Sequence, residues 1–260
     1  MLNLIKEWVT SLKHKNDETG SNDLAVIWLH GANQSGLSFQ YLRSLTCFKN
    51  ELVVEYDTSH KFKDNLEMLA NEIIKVRGPY FMIGHSLGGK VAMTFACEQA
   101  DRVQHLVVVD IAAKDYYPPY LDAVFRAMKR LNLSELSQRK EADTILQEWI
   151  PNWSMRQFVL TNLVRTEAGF EWQVNLEVLH ASLPVIRKNS LLPAQRFFGP
   201  ALLIRGEDSD FVEDSDVKRM RLHFPDLKCE TIEKASHNVH VENRAAFLQT
   251  LIACLGFASD

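Results

Sequence analysis

The strongest constraint on this chain is the segment from Tyr80 to Met93, which reads YFMIGHSLGGKVAM. An apolar run of strand length precedes the pattern G-H-S-L-G, and a helix-like pattern follows it, so the serine falls in a strand-turn-helix context. Gly84 and Gly88 carry no Cβ atoms to collide where the strand and the helix cross. A serine hydroxyl becomes a useful nucleophile when a strained turn presents it to a base. Ser86 is therefore the candidate nucleophile.

Two backbone amides are expected to serve this serine. Leu87 follows it at the start of the predicted helix, where amide dipoles favour a negative oxygen. Upstream, the apolar run 24–29 ends in His30-Gly31-Ala32, which is typical of the second half of an oxyanion hole. We therefore expect the N–H groups of Ala32 and Leu87 to hold an oxyanion.

The general base in a chain with this motif is expected after the last strand, near the C-terminus. Residues 227–232 alternate like a strand, and the sequence SHNVH follows just before an amphipathic helix from about 244 to 255. His237, the first histidine of that sequence, occupies the position of the base. His240 is its competitor.

Two positions compete for the acid that orients the base. The commonest arrangement is G-x-x-D after the penultimate strand, but here Ser209 fills the acid position, with Asp208 and Asp210 on either side. The alternative is Asp110, which closes the apolar run 105–109 after the elbow helix. Because the carboxyl end of a central parallel strand faces the site in an open α/β sheet, Asp110 is favoured. Ser209 is expected to be its hydrogen-bond partner, and Asp208 a supporting residue and the alternative acid.

These motifs, with several segments further along the chain, resemble the YbfF-type bacterial carboxylesterases and their mitochondrial abhydrolase relatives within the α/β-hydrolase superfamily. The resemblance covers roughly residues 24 to 258. In those esterases the acid closes the strand after the elbow helix and a serine fills the usual acid position, which implies these roles for Asp110 and Ser209. The segments that carry it are GHSLGGKVAM, VVVDIA with Tyr117, Arg139 with Glu141, Ala142 and Leu146, Arg156-Gln157-Phe158, Asn162-Leu163, Phe170 with Trp172, and HNVHVE from His237.

Hydrophobic periodicity predicts a mostly parallel central sheet with helices on both faces and an inserted helical cap, and the resemblance implies that this is an α/β-hydrolase fold. The core is expected at 1–112 and 199–260. Residues 113–198 show no strand-like alternation and many aromatic side chains, and are expected to form the cap. The predicted strands are 24–29, 51–56, 80–85, 105–110, 201–206 and 227–232, and the predicted helices are 38–47, 63–76, 87–100, 214–223 and 242–255.

Composition excludes several other classes of protein. A net charge of −4 without clustered basic residues argues against nucleic-acid binding, and no apolar run reaches membrane-spanning length. Residues 1–15 have helical apolar spacing interrupted by Lys6 and Glu7, so a packing element is expected there rather than a targeting segment. Four widely spaced cysteines, without a C-x-x-C pair, indicate a reducing, cytoplasmic compartment. We expect no metal and no cofactor.

The sequence thus predicts a serine hydrolase that cleaves small-molecule esters or thioesters through an acyl-enzyme, and a carboxylesterase on small or medium acyl groups is the favoured form. An acyl-CoA thioesterase and a carbon-carbon bond hydrolase with the same three residues stay open. So does a ligand-binding protein that retains the fold without turnover. The sequence leaves the oligomeric state open.

Overall fold

A six-stranded sheet, in which all the described strand pairs are parallel, forms the centre of the structure. The computed structural model describes residues 25–31, 36–46, 51–54, 73, 75–76, 79–117 and 119–254. Ala32, the N-terminal element expected at 1–15 and most of the helix expected at 63–76 lie outside these residues.

The strand order in this sheet is β2-β1-β3-β4-β7-β8. Its six strands agree closely with the six predicted from the sequence. Over the described part of the chain, the strands are β1 (Ala25–Leu29), β2 (Glu51–Val54), β3 (Tyr80–His85), β4 (Val103–Val109), β5 (Leu163–Thr166), β6 (Gly169–Trp172), β7 (Ala201–Gly206) and β8 (Leu227–Ile232).

Burial explains why the central strands read as continuous apolar runs. Every side chain of β1 and of β3 is buried, as expected of parallel strands covered on both faces.

The described helices are α1 (Gln40–Thr46), α2 (Leu87–Glu98), α3 (Pro119–Arg130), α4 (Arg139–Leu146), α5 (Trp153–Leu160), α6 (Leu176–Ile186), α7 (Asp214–Met220), α8 (Val239–Glu242) and α9 (Arg244–Cys254), with short 3-10 turns at Gly36–Phe39, Ala100–Arg102 and Leu133–Glu135.

The described residues divide into two compact units. The first comprises the described residues up to Val54, from 73 to 114 and from 189 to 254, and contains the sheet. Its core includes Trp28, Phe39 and Phe247, all with no exposed surface. The second comprises residues 115–188 and has an apolar core of its own, to which α3, α4 and α5 contribute.

The second unit contains a β-hairpin that the sequence analysis missed. The strands β5 and β6 pair antiparallel, with Leu163 opposite Trp172 and Thr166 opposite Gly169. Each strand has only four residues, too few for their alternation to stand out between helical segments. The hairpin is anchored by packing and by Trp172, whose indole N–H donates to the Met128 carbonyl over 3.2 Å. The expectation that residues 113–198 contain no strand was therefore wrong.

Two residues of the family-like segments have structural roles within this second unit. Arg156 is buried, and its guanidinium donates to the Asp143 carboxylate over 2.6 Å and to the Ile150 carbonyl over 2.9 Å. Glu141 accepts hydrogen bonds from the backbone N–H groups of Ser137 and Gln138 at the start of α4. These residues stabilise the unit's own helices.

Within the described ranges, no helix is both long enough and apolar enough to cross a membrane. The cytoplasmic location expected from the cysteines stays a prediction.

Two glycines let α2 cross the sheet at very close range. A Cβ atom on Gly88 would lie 2.7 Å from the His30 carbonyl oxygen and closer still to the Leu29 carbonyl. A Cβ atom on Gly84 would lie 2.6 Å from the Gly88 carbonyl carbon. All of these neighbours are backbone atoms, which cannot rotate away. The role predicted for both glycines from the sequence is confirmed.

We expect Gly88→Ala to lower the free energy of unfolding by about 3 kcal/mol or more, because the added methyl group must push α2 away from β1. Thr94→Ala on the same helix is the matched control, since the bonds of its hydroxyl within the described residues go to the Lys90 and Ser190 carbonyls. Chemical denaturation followed by circular dichroism measures both variants. A Gly88→Ala protein as stable as the Thr94→Ala protein would contradict the close-crossing argument.

Candidate active site

Ser86 lies in a strained turn between β3 and α2. Its φ of 53° and ψ of −118° are sparsely populated for a residue with a side chain. Hydrogen bonds hold the turn on both sides, because the Ser86 N–H donates to the Val109 carbonyl and its carbonyl accepts from Gly89 and Lys90. The surrounding structure thereby fixes the direction in which the Ser86 hydroxyl points.

His237 brings together the two groups that the sequence analysis assigned to it. Its Nε2 atom lies 3.0 Å from Ser86 Oγ, and its Nδ1 atom lies 2.8 Å from Asp110 Oδ2. A carboxylate only accepts hydrogen bonds, so Nδ1 carries the proton and Nε2 is left as an acceptor for the serine hydroxyl. The imidazole is 18% exposed, so one side of it remains accessible.

Asp110 is fully buried and follows β4 with a φ of 50°. Its Oδ1 atom accepts a hydrogen bond from the Gly206 N–H over 3.1 Å, and its Oδ2 atom accepts from the Ser209 hydroxyl as well as from His237. The Ser209 oxygen in turn accepts from the Phe211 N–H over 3.2 Å. Buried charges need such donors to remain ionised, and here three donors fix both carboxylate oxygens.

The two acidic neighbours of Ser209 point elsewhere. The side chains of Asp208 and Asp210 are exposed, and Asp208 uses its backbone N–H to bond to the Ala235 carbonyl over 2.9 Å. Over the described part of the chain, neither carboxylate contacts His237. The turn after β7 directs only Ser209 inward, so the structure does not give the Asp208 side chain the supporting position expected for it.

Half of the expected oxyanion hole lies in the described residues. Leu87 is the first residue of α2, and its backbone N–H has no acceptor among the residues that the structure describes. It lies next to Ser86 at the positive end of a twelve-residue helix, where an anion is favoured. Ala32, the other expected donor, lies outside the described residues.

His240, the competing base, is buried behind the site. Its ring stacks on Phe39 with centroids 4.8 Å apart, and neither ring nitrogen has a hydrogen-bond partner within the described ranges. Burial, reinforced by the charges of His237 and Arg244, lowers the pKa of His240 to about 3. His240 is therefore a neutral packing residue at ordinary pH.

Two residues at the site were missed by sequence reasoning. The Phe211 ring stacks on His237, with centroids 3.7 Å apart and an interplanar angle of 18°. The His85 Nε2 atom lies 2.8 Å from the His237 carbonyl oxygen. Phe211 belongs to no motif, and His85 occupies the variable position of the elbow pattern, so neither carried a signal in the sequence.

The described cysteines show no sign of an activated thiol. Cys97 and Cys229 are free and partly buried, and burial raises both of their pKa values, that of Cys97 to about 11. In the described ranges, no group of three histidine, cysteine or acidic side chains is placed to hold a metal ion.

Comparison with known proteins agrees with the fold. Residues 26–250 match the alpha/beta hydrolase family, Abhydrolase_6. The chain belongs to this family. The resemblance to YbfF-type esterases and mitochondrial-type abhydrolases inferred from the sequence is thereby confirmed, as is the fold.

Several hydrolases of this family are similar over much of the chain. The sn-1-specific diacylglycerol lipase ABHD11 of Mus musculus is 35% identical over 184 residues, which are 68% of this chain and 59% of the lipase. Esterase YbfF of Escherichia coli K12 is 32% identical over 169 residues, 65% of this chain and 64% of the esterase. The chain therefore matches less than two thirds of either relative. A solved marine microorganism esterase superposes with a TM-score of 0.79 at 28% identity, covering 89% of this chain and 95% of that one.

Burial of His240 predicts a loss of stability in acid. The folded-state pKa of about 3 lies below the ordinary value of 6.5, so between these values the unfolded chain binds more protons. Stability is therefore present above pH 6.5 and is lost as the pH falls. Between pH 7 and pH 5, His240 alone should lower the free energy of unfolding by about 2 kcal/mol.

Urea unfolding of the wild type and of His240→Phe at both pH values measures this effect. The variant lacks the titrating group, so its loss of stability on acidification should be smaller by that amount. Equal losses in the two proteins would show that His240 does not stay neutral in the folded state.

Proposed function

We propose that this chain is a serine hydrolase that cleaves carboxylic esters through an acyl-enzyme. Ser86 is the nucleophile, His237 the general base and Asp110 the residue that orients the imidazole. The observation that carries this proposal is the continuous row of hydrogen bonds from Ser86 Oγ through the two ring nitrogens of His237 to the Asp110 carboxylate.

In the first step, the Ser86 hydroxyl gives its proton to His237 Nε2 while Oγ attacks the ester carbonyl carbon. The carbonyl oxygen becomes an oxyanion, which accepts hydrogen bonds from the Leu87 N–H and from that of Ala32. His237 is then a cation between the Asp110 carboxylate and the ring of Phe211. Both neighbours favour that cation, the carboxylate by charge and the ring by its negative face.

In the second half of the cycle, the His237 cation protonates the departing alcohol oxygen, and the carbon-oxygen bond of the ester breaks. The acyl group remains on Ser86. Neutral His237 then takes a proton from water, and the resulting hydroxide attacks the acyl carbonyl. Collapse of this second intermediate returns the proton to Ser86 Oγ and releases the carboxylic acid. No cofactor enters either step.

The proposed substrates are small or medium acyl esters. The names of the relatives support esters as the substrate class, since they include an esterase and a diacylglycerol lipase, and the acyl size is the expectation from the sequence. We propose further that residues 113–198 act as a cap that selects the acyl group. This segment begins three residues after Asp110, and a compact unit with its own core comprises residues 115–188 of it.

We expect Ser86→Ala to lower kcat for a chromogenic short-chain ester by about 10⁴-fold or more, because the variant cannot form the acyl-enzyme. Its thermal midpoint should remain at or above that of the wild type. Ser44→Ala, which removes an exposed serine hydroxyl, is the control and should keep full activity. A wild type without turnover, or a Ser86→Ala variant that turns over equally well, would exclude the acyl-enzyme mechanism.

We expect Asp110→Asn to lower kcat by about ten-thousand-fold, the size of effect seen for this change in a serine protease, because an amide favours the wrong imidazole tautomer. Asp208→Asn is the matched control and should lose at most a few-fold, since that carboxylate is exposed. Steady-state kinetics on one ester compare the two. A large loss of kcat in Asp208→Asn, with little loss in Asp110→Asn, would assign the acid to Asp208 instead.

Ser209 allows the same assignment to be tested by gain of activity. Its hydroxyl already contacts the Asp110 oxygen that His237 bonds to, so a carboxylate at this position approaches the imidazole from the β7 side. Adding Ser209→Asp to Asp110→Asn should recover at least tenfold of the lost kcat. No recovery in a folded double variant would mean that position 209 cannot orient His237.

A further inference from the structure

The nucleophile and the base are joined by a second link besides their own hydrogen bond. His85 immediately precedes Ser86 as the last residue of β3, and its side chain is buried, with the residue 1% exposed. Its Nε2 atom lies 2.8 Å from the main-chain carbonyl oxygen of His237. The rings of His85 and His237 also lie close together, with centroids 4.8 Å apart.

The His237 carbonyl oxygen determines which ring nitrogen of His85 carries the hydrogen. A carbonyl oxygen only accepts hydrogen bonds, so the His85 Nε2 atom carries the hydrogen and donates it. Burial, followed by the neighbouring charges of His240, His237 and His30, lowers the pKa of His85 well below its usual value. The ring is therefore neutral and places no second positive charge beside His237 when that residue takes up the serine proton.

This bond holds the main chain of His237 itself. Within the described ranges, the carbonyl group of His237 has no other hydrogen-bond partner, and its backbone N–H has none. The flanking residues are held differently. The Ser236 N–H donates to the Glu242 carboxylate over 2.5 Å, and the Asn238 carbonyl accepts from the first turn of α8.

We propose that His85 is a positioning residue, which fixes the main chain of His237 to the strand that carries Ser86 and so sets the distance between nucleophile and base. This inference rests on the proposed function. Asp110 and Phe211 contact the imidazole and restrict its rotation about the side-chain bonds of His237. Neither of them connects the His237 backbone to the elbow. Because His85 and Ser86 are adjacent in the chain, a displacement of the elbow carries the base with it.

Three substitutions separate this role from packing. His85→Gln retains an amide N–H at a reach comparable to that of imidazole Nε2, whereas His85→Asn ends one bond short and His85→Leu has no donor. His240→Phe is the matched control from the same buried cluster, because the His240 ring lies 4.6 Å from that of His85 and makes no hydrogen bond within the described ranges.

With a chromogenic short-chain ester, we expect His85→Leu and His85→Asn to lower kcat by tenfold to a hundredfold while KM stays within about twofold, because a base displaced by about 1 Å costs on this scale. His85→Gln should stay within about threefold of the wild type, and His240→Phe within about twofold. The labelling rate of Ser86 by a fluorophosphonate should follow kcat. A purely structural role would instead lower thermal stability, leave kcat per labelled site unchanged, and show no rescue by glutamine.

Equal kcat values for His85→Asn and His85→Gln, in proteins that both fold, would overturn the proposal. Should none of the His85 variants fold, nitrogen-15 spectra of the wild-type histidine rings test the proposal. We expect His85 to carry its proton on Nε2 and to exchange it slowly between pH 5 and pH 8. A proton on Nδ1 would overturn it. A wild type that neither hydrolyses esters nor reacts with the fluorophosphonate would exclude the proposed function, whatever the spectra show.

Discussion

The site depends on the close crossing of α2 over the sheet. Gly84 and Gly88 bring the helix so near to β1 and β3 that a single Cβ atom at either position would meet backbone atoms. The chain can turn from β3 into α2 at this separation only by a sharp bend, which forces Ser86 into its positive φ. Packing of the buried sheet residues stabilises the crossing, so the hydrophobic core holds the strained serine in place.

Next to this elbow, the hydrogen-bond partners of the buried Asp110 side chain within the described residues are an amide, a hydroxyl and an imidazole rather than a lysine or an arginine. Such donors offset part of the cost of burying a carboxylate away from water. In the proposed mechanism, the proton that His237 takes from Ser86 places a positive charge next to this carboxylate.

The histidines behind the site have a different chemistry from the one that faces Ser86. Burial lowers the pKa values of His85 and His240, and His237 is the ring of this group with a partly exposed face. Neutral rings can pack against His237 without competing for its proton. Phe211 stacks on the imidazole of His237, and this contact limits the rotation of that ring.

The sequence by itself determined the parallel sheet, the elbow serine and the base, because these follow from local patterns. Continuous apolar runs identify buried parallel strands, and two glycines at fixed spacing around Ser86 leave little freedom in the turn. His237 was identifiable since its position after β8 is set by chain order. The choice of Asp110 over Asp208 was less constrained, because both follow a strand of the same sheet; the position of Asp110 at the end of a central strand favoured it, and the family resemblance implied the same.

Only the tertiary structure decided which side chains actually meet. The four-residue strands of the β5–β6 hairpin draw their stability from packing within their own unit, so their sequence carries too few alternations to be recognised. The stacking of Phe211 on His237 and the bond from His85 to the His237 carbonyl join segments that are far apart in the chain. The exposure of Asp208 depends on the path of a single turn. Hydrophobic periodicity fixes the face on which a residue lies, whereas the direction of a side chain in a loop is set by contacts that form only when the whole core has folded.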